Sequence, residues 1–275
     1  RSIYANIIDD LYKHNAGLVV WNVMMPEKDR QGGEAALALE LEAHPVILSN
    51  TVAEKTKKTP RKPGSAVIGS ENIGMIYNYP GFIANIQALE LNAVGVGLTY
   101  TMPEVDGVNR RLPLFAGYNG GVYPSVPLEV LRVLVNTSTF QVKLNENGVE
   151  KMRIPGYNPI STDSLGRIWV DWSQTNKKVS AADLPKDFGG NIVIVGTTAA
   201  GIGNPVPTSL GSIWPQEMQA AVIGTLVNNV NIERPDWAPG AELLALVAIS
   251  LLILFLSRWV YVGLGVGVVL AASLV

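Results

Sequence analysis

The sequence predicts an α/β domain in which helices cover a mixed sheet, followed by C-terminal transmembrane helices. Helix-spaced apolar residues alternate with short runs of β-branched residues along the chain, which favours an α/β core. The composition is 48% hydrophobic and 16% charged, below the roughly 25% charge of an average soluble domain. Much of the apolar excess lies at the C-terminal end, so we expect one large domain over 1–235 and a membrane segment over 236–275.

The first half of the chain predicts alternating helices and strands. Apolar positions at helical spacing predict a helix over 3–11, and a short apolar run predicts a strand over 18–23. Strong helix formers predict a second helix over 34–43, which is followed by a strand over 45–49. Because helix and strand alternate, we expect part of the sheet to be parallel.

The middle of the chain is expected to be loop-rich over 50–81, with a helix over 82–91 and a strand over 94–100. An Asp-Gly turn precedes a strand over 110–115, in which Pro113 indicates an edge position or a bulge. The run 191–196, with four consecutive β-branched residues, is the clearest prediction of a buried strand in the chain. The other predicted elements are a helix over 123–135, strands over 140–144, 151–154 and 167–171, and a helix from 214 to about 230.

The C-terminal segment has the length of a membrane span. Trp237 and Trp259 flank an apolar run, and at 1.5 Å per residue they are about 33 Å apart, close to the thickness of a bilayer core. Arg258 indicates that this end is cytoplasmic, so the large domain is expected outside the cytoplasm. A second run, 260–275, predicts a further, incomplete transmembrane helix. The alternative is a pair of core helices in a soluble protein.

Composition argues against several classes of chemistry. The chain has no cysteine, which excludes disulfides and thiolate catalysis. His14 and His44 are interpreted as surface residues, and neither a P-loop nor a nucleophile elbow is present. We therefore predict no enzyme activity, no catalytic residue, no cofactor and no metal. The net charge of −2 gives no attraction to nucleic acid, and the basic run 55–62 is interpreted as a solvated loop or a contact with anionic lipid headgroups.

Two motifs are candidates for ligand binding. The glycine loop 196–203 follows a strand and is a structural turn, a ligand-facing loop or a nucleotide site. Adjacent arginines on a strand point to opposite faces, and the inward one, expected to be Arg111, needs a partner such as Asp106 or Glu217. Structural pairing and an anion-binding cleft both fit this element. The candidate ligand residues are Asp106, Arg110, Arg111, Thr197, Thr198, Asn204 and Glu217.

Several motifs occur in the order found in the CHASE type-2 domain, and the chain resembles this family over nearly its whole length. They are Asn92-Ala93-Val94-Gly95-Val96-Gly97, Asp106 to Leu114, Tyr123-Pro124-Ser125, Ile192 to Ala199, Pro207-Thr208 and Glu217-Met218-Gln219-Ala220. The resemblance implies an extracytoplasmic sensory domain of bacterial receptors, attached through transmembrane helices to cyclase or kinase output domains. Where the family commonly has two aspartates and a histidine, this chain has Asn22, Asn204 and Gln219.

Three functions are compatible with these features. The first is a sensor in the inner (cytoplasmic) membrane that binds an unknown small ligand or responds to stress, with its large domain in the periplasm or outside the cell. The second is a non-catalytic subunit of a larger membrane assembly, which the neutral amides favour. The third, a Rossmann-like enzyme, depends on the glycine loop alone. Expected partners are membrane lipid and either further copies of the chain or other membrane subunits.

Overall fold

The computed structural model describes residues 1–55, 58–62, 64–69, 76–173, 176–199, 202–230, 232 and 237–272, with backbone alone for 262–272. The chain divides into two compact units, Arg1–Ile232 and Glu233–Val275. The predicted boundary after residue 235 falls within 233–236, outside the described residues.

The first unit combines helices with short strands. Its helices are α1 (Ser2–Lys13), α2 (Glu34–Ala43), α3 (Gln87–Asn92), α4 (Val126–Leu134) and α5 (Pro215–Val227). Its strands are β1 (Leu18–Trp21), β2 (Val46–Ala53), β3 (Gly64–Gly69), β4 (Gly81–Ile83), β5 (Gly95–Leu98), β6 (Arg111–Pro113), β7 (Phe115–Tyr118), β8 (Gly121–Pro124), β9 (Thr139–Asn145), β10 (Gly148–Arg153), β11 (Arg167–Trp169), β12 (Ile192–Val195), β13 (Val206–Thr208) and β14 (Gly211–Ile213).

A five-stranded mixed sheet organises this unit, as the sequence predicts. Strands β12, β1, β2 and β5 are parallel, while β4 pairs antiparallel with the end of β2. A second sheet has the order β10-β9-β3, and the pairs β6 with β11, β7 with β8, and β13 with β14 form two-stranded ribbons. The edge position predicted for Pro113 agrees with β6, which pairs with β11 alone among the described strands.

The two faces of the main sheet bury different helices. Because side chains alternate along a strand, Val19 and Trp21 pack with the apolar sides of α1, α2 and α3, whereas Leu18 and Val20 pack with α4 and α5. β2 follows the same rule, since Leu48 belongs to the first cluster and Ile47 to the second. The alternation therefore tells which face each polar residue at the strand ends occupies.

The structure corrects several predicted elements. The helix expected over 82–91 is replaced by β4 and the short α3, and the helix expected over 123–135 begins only at Val126, because β8 occupies the residues before it. β3 lies inside the stretch expected to be loop. β12 is only partly buried, although the sequence predicted a clear buried strand, because among the described strands it pairs with β1 alone and lies at the edge of the sheet.

The described residues of the second unit, 237–272, contain one continuous helix, α6 (Ala238–Ala272). Within it, Ala238–Tyr261 has 24 residues, a mean hydropathy of 2.4 and no buried part. At 1.5 Å per residue this stretch is about 36 Å long, enough to cross a bilayer by length and composition. The sequence predicted two helices separated near Arg258; one helix forms instead, because no proline interrupts the backbone there.

Candidate ligand site at the carboxyl ends of the parallel strands

The parallel strands of the main sheet end in polar residues. Asn22 follows β1, Ser49 and Asn50 lie in β2, Thr99 follows β5 and Thr197 follows β12 after one glycine. Because the strands are parallel, these positions lie together at the carboxyl ends of the strands, which is where open α/β sheets bind their ligands. At these strand ends, the two faces of the sheet differ in how completely their polar groups are hydrogen-bonded.

On the face covered by α1 to α3, a connected hydrogen-bond network holds the buried polar side chains. Asn50 donates from Nδ2 to Glu90 Oε1 at 2.7 Å, and Asn85 donates from Nδ2 to Asn50 Oδ1 at 2.6 Å. The Met25 backbone N–H donates to Asn85 Oδ1 at 2.6 Å, and the Arg61 backbone N–H donates to Glu90 Oε2 at 2.7 Å. Burial raises the pKa of the Glu90 carboxyl. The hydrogen bonds of this network therefore account for the burial of its polar side chains within the fold.

The face covered by α4 and α5 carries a second group of polar side chains. Ser49 lies two residues after Ile47 and Asn22 two after Val20, so both point toward α4 and α5. Ser49 is paired in register with Gly97, and a Cβ built on Gly97 would lie 2.9 Å from the Ser125 carbonyl carbon. These contacts bring Ser49 and Ser125 to the same region of the face.

Helix α5 contributes a further polar side chain to this face. Gln219 donates from Nε2 to Thr99 Oγ1 at 3.0 Å. Asn22, Ser49, Thr99, Ser125 and Gln219 are together called the edge cluster. Each carries a neutral amide or hydroxyl group, so the edge cluster has no charged member.

The edge cluster concentrates buried polar atoms that lack a hydrogen-bond partner among the described residues. They are Asn22 Oδ1, Ser49 Oγ, Ser125 Oγ and Gln219 Oε1, four of the eight such side-chain atoms in the described part of the chain. Ser49 is 0% exposed, and Ser125 and Gln219 are each 3% exposed. An unpaired buried polar group costs about 1–3 kcal/mol, so native proteins retain few of them, and each calls for an explanation.

Two helices begin close to the same strand ends. A Cβ on Gly97 would lie 2.5 Å from Val126 Cα at the start of α4, and one on Gly196 would lie 2.7 Å from the Gln216 side chain in the first turn of α5. Only glycine allows these approaches. Helix N-termini present free N–H groups and a partial positive charge, so they add hydrogen-bond donors to an otherwise neutral site.

The Asp106 to Arg111 element forms ion pairs within the domain. Arg110 donates to both carboxylate oxygens of Asp106, at 3.0 and 2.7 Å, in an exposed pair. Arg111 is less exposed and donates to both oxygens of Glu104, at 2.7 and 2.8 Å, and to Asp163 at 2.9 Å. The partners suggested from sequence, Asp106 and Glu217, were therefore wrong. The turn at Gly107, with φ of +80°, folds Glu104 back against the strand that carries Arg111.

The other candidates from the sequence lie in different surroundings. Glu217 pairs with Lys178 at 2.8 Å. Thr197 accepts a hydrogen bond at Oγ1 from the Ala199 backbone N–H at 3.2 Å, while Thr198 and Asn204 are exposed. Their role as ligand contacts stays a prediction.

Sequence reasoning did not select Ser49, Thr99 and Ser125. Asn22 and Gln219 were noticed only because they depart from the family pattern. A polar residue at the end of a predicted parallel strand is a sequence signal that identifies Asn22, Ser49 and Thr99. Ser125 and Gln219 do not carry this signal.

The fold and the site together define a class of protein. The chain combines an α/β domain, which has a neutral polar cluster at the carboxyl ends of its parallel strands, with an apolar helix long enough to span a membrane. The family model of the CHASE2 domain matches residues 1–255, and the chain therefore belongs to the CHASE2 domain family. This is a family of extracytoplasmic, sensory, non-catalytic domains. Searches of curated proteins and of solved structures found no match.

Proposed function

We propose that the chain is the sensor module of a bacterial inner-membrane receptor and that its edge cluster binds a small polar ligand outside the cytoplasm. The proposal rests on a contrast between the two faces of the main sheet at the carboxyl ends of its parallel strands. The buried side chains Asn50, Asn85 and Glu90 share one hydrogen-bond network. On the other face, Ser49, Ser125 and Gln219 each have an atom without a hydrogen-bond partner among the described residues. Among the described residues, Trp21 Nε1 also lacks a partner on the first face, so the contrast is one such atom there against four in the edge cluster.

Helix α5 offers a route from this site toward the membrane segment. Its residue Gln219 belongs to the edge cluster, and eight residues later the helix ends at Val227. The Tyr157 hydroxyl donates to the Leu226 carbonyl near that end. In the chain, α5 is the last helix before α6, so a ligand that shifts α5 as a rigid element would transmit the change along the chain to an output domain such as a cyclase or kinase.

A ligand screen on the purified full chain in detergent tests the proposal. Thermal unfolding would be followed with a library of small neutral and anionic metabolites, since the cluster is neutral and faces two helix N-termini. We expect a stabilising compound whose effect is lost in Gln219→Leu and kept in the control Gln141→Leu, the same substitution on β9. Hits that depend equally on both glutamines, or on neither, would contradict binding at the edge cluster.

A second candidate function has specific support. The edge strand β12 is partly buried, and its four residues are all apolar and β-branched, without the charges that usually protect a sheet edge. This favours an accessory subunit whose sheet edge packs against another membrane protein. A screen that yields no stabilising compound, together with co-purification of a partner that is lost in Ile194→Lys, would favour the accessory subunit over the sensor.

A further inference from the structure

A second group of potential ligand atoms lies at the opposite end of the main sheet. Asp9 of α1 and Glu40 and His44 at the end of α2 each offer one atom, and all three atoms lie within 4.8 Å of one another. Each of these side chains is partly buried. Glu40 lies in the last turn of α2 and His44 directly follows that helix, and the packing of α1 on α2 places Asp9 beside them.

The geometry of this triad matches a transition-metal site. His44 Nε2 lies 3.5 Å from Glu40 Oε2. Tetrahedral zinc holds nitrogen and oxygen ligands at about 2.0–2.2 Å, which places neighbouring ligand atoms about 3.4 Å apart. Glu40 and His44 therefore already have the spacing of two zinc ligands, and the Asp9 carboxylate needs to approach by at most about 1.4 Å.

The His44 ring is held in place from its other side. It stacks on Tyr12 with ring centroids 4.2 Å apart and an interplanar angle of 4°. The Tyr12 hydroxyl donates to the Pro45 carbonyl at 2.5 Å, which fixes the tyrosine in turn. Such support orients a ligating imidazole before the metal arrives, as outer contacts do in metal sites.

Lys13 is the cation that competes for Asp9. Its Nζ lies 2.5 Å from Asp9 Oδ2 and 3.7 Å from Asp10 Oδ1, and its side chain is 62% exposed. An exposed lysine pair contributes little stability, and Asp10 provides a second partner within a small movement. The ammonium group can thus leave Asp9 to a divalent ion at low cost.

We propose that Asp9, Glu40 and His44 form a divalent transition-metal site of the zinc type, with three protein ligands and one position open to water. An imidazole with two carboxylates favours Zn²⁺ over Mg²⁺ and Ca²⁺, which prefer oxygen ligands alone. A metal here joins α1 to α2 at the amino ends of the strands. This gives the domain a response to metal that is independent of the edge cluster and of the ligand proposed for it.

The composition of the chain makes the test clean. It has no cysteine and two histidines, so imidazole-dependent Zn²⁺ binding is assigned by two variants, His44→Gln and His14→Gln. Glu40→Gln keeps the shape of a proposed ligand, and Glu42→Gln, an exposed glutamate on the same helix, is its matched control. Binding of ZnCl₂ to the full chain in detergent would be measured by calorimetry, with MgCl₂ as a second probe and circular dichroism as a check on folding.

We expect saturable Zn²⁺ binding that weakens by more than about tenfold in Glu40→Gln and His44→Gln, since losing even an outer-shell partner costs 10–100-fold. His14→Gln and Glu42→Gln should bind as the parent chain does. In the His14→Gln variant, the single remaining imidazole should shift in NMR spectra on Zn²⁺ addition. The proposal is overturned if the parent chain shows no saturable Zn²⁺ binding, if Glu40→Gln and Glu42→Gln bind alike, or if Mg²⁺ binds as tightly as Zn²⁺.

Discussion

Replacement of Arg111 by alanine tests how much the charge cluster beside β6 contributes to the fold. The substitution removes three hydrogen bonds to carboxylates, two to Glu104 and one to Asp163. It also removes the stacking of the guanidinium over the Trp169 ring, whose centroid is 5.1 Å from Arg111 Cζ. The matched control is Arg110→Ala, which breaks one exposed pair with Asp106.

The exposure of the partners sets the expected magnitude. The Arg111 and Glu104 side chains are 22% and 21% exposed, so the pair lies between an exposed pair, worth about 0–1 kcal/mol, and a buried one, whose breakage costs about 3–5 kcal/mol. Asp163 keeps Arg167 at 2.8 Å, so Glu104 alone loses its bidentate partner. We expect Arg111→Ala to lower the free energy of unfolding by about 2 kcal/mol and Arg110→Ala by less than about 0.5 kcal/mol.

Urea unfolding of the full chain in detergent, followed by tryptophan fluorescence, measures both variants. A double-mutant cycle with Glu104→Ala should give a coupling energy of about 1 kcal/mol or more, because the two side chains share a bidentate contact. If both arginine variants stay within about 0.5 kcal/mol of the parent, the structural role fails, and an anion-binding role becomes the better explanation of these arginines.

Three further predictions use the same chain. Ser49→Ala should raise the free energy of unfolding by about 1 kcal/mol, because Ser49 Oγ is buried without a partner among the described residues, and a lower value would contradict this unpaired state. Thr225→Val should lower the free energy of unfolding by about 1–3 kcal/mol, because Thr225 Oγ1 accepts from the Asp171 N–H at 3.0 Å and donates to a carbonyl. Burial raises the pKa of the Glu90 carboxyl, so the stability that depends on its neutral form is lost as the pH rises through that pKa. Glu90→Gln should therefore reduce the fall of the urea unfolding midpoint with rising pH, and an unchanged pH dependence would contradict this prediction. Glu146→Cys, in an exposed hairpin turn, should react with an impermeant maleimide in intact cells, and labelling only after lysis would reverse the predicted topology.

Local pattern was sufficient where neighbours in sequence decide the structure. The helices α1 and α2 and the strands β1, β2 and β5 lie where helical spacing, helix-forming residues and short apolar runs predicted them. Their alternation also predicted the parallel core of a mixed sheet. The apolar composition after residue 237 predicted a helix long enough to span a bilayer.

Local pattern failed where a partner distant in sequence changes the outcome. The segment 82–91 contains good helix formers, yet its first residues pair with the end of β2 as strand β4, because the sheet supplies backbone partners there. β12 has the composition of a buried strand and lies at an edge, since strand order depends on chain crossovers that composition does not encode.

The sequence by itself determined the α/β class, the CHASE2 resemblance, the apolar C-terminal helix and the absence of cysteine chemistry, because each depends on composition, on order along the chain or on spacing within one element. Tertiary structure alone decided which groups meet. Gln219 reaches Thr99 across 120 residues, and Asp9 lies beside Glu40 and His44 because α1 packs on α2. Arg111 pairs with Glu104 through a turn and with Asp163 across 52 residues. The sequence specifies the chemistry of each side chain. Whether a side chain has a hydrogen-bond or ion-pair partner depends on strand register and helix packing, because these bring remote segments together.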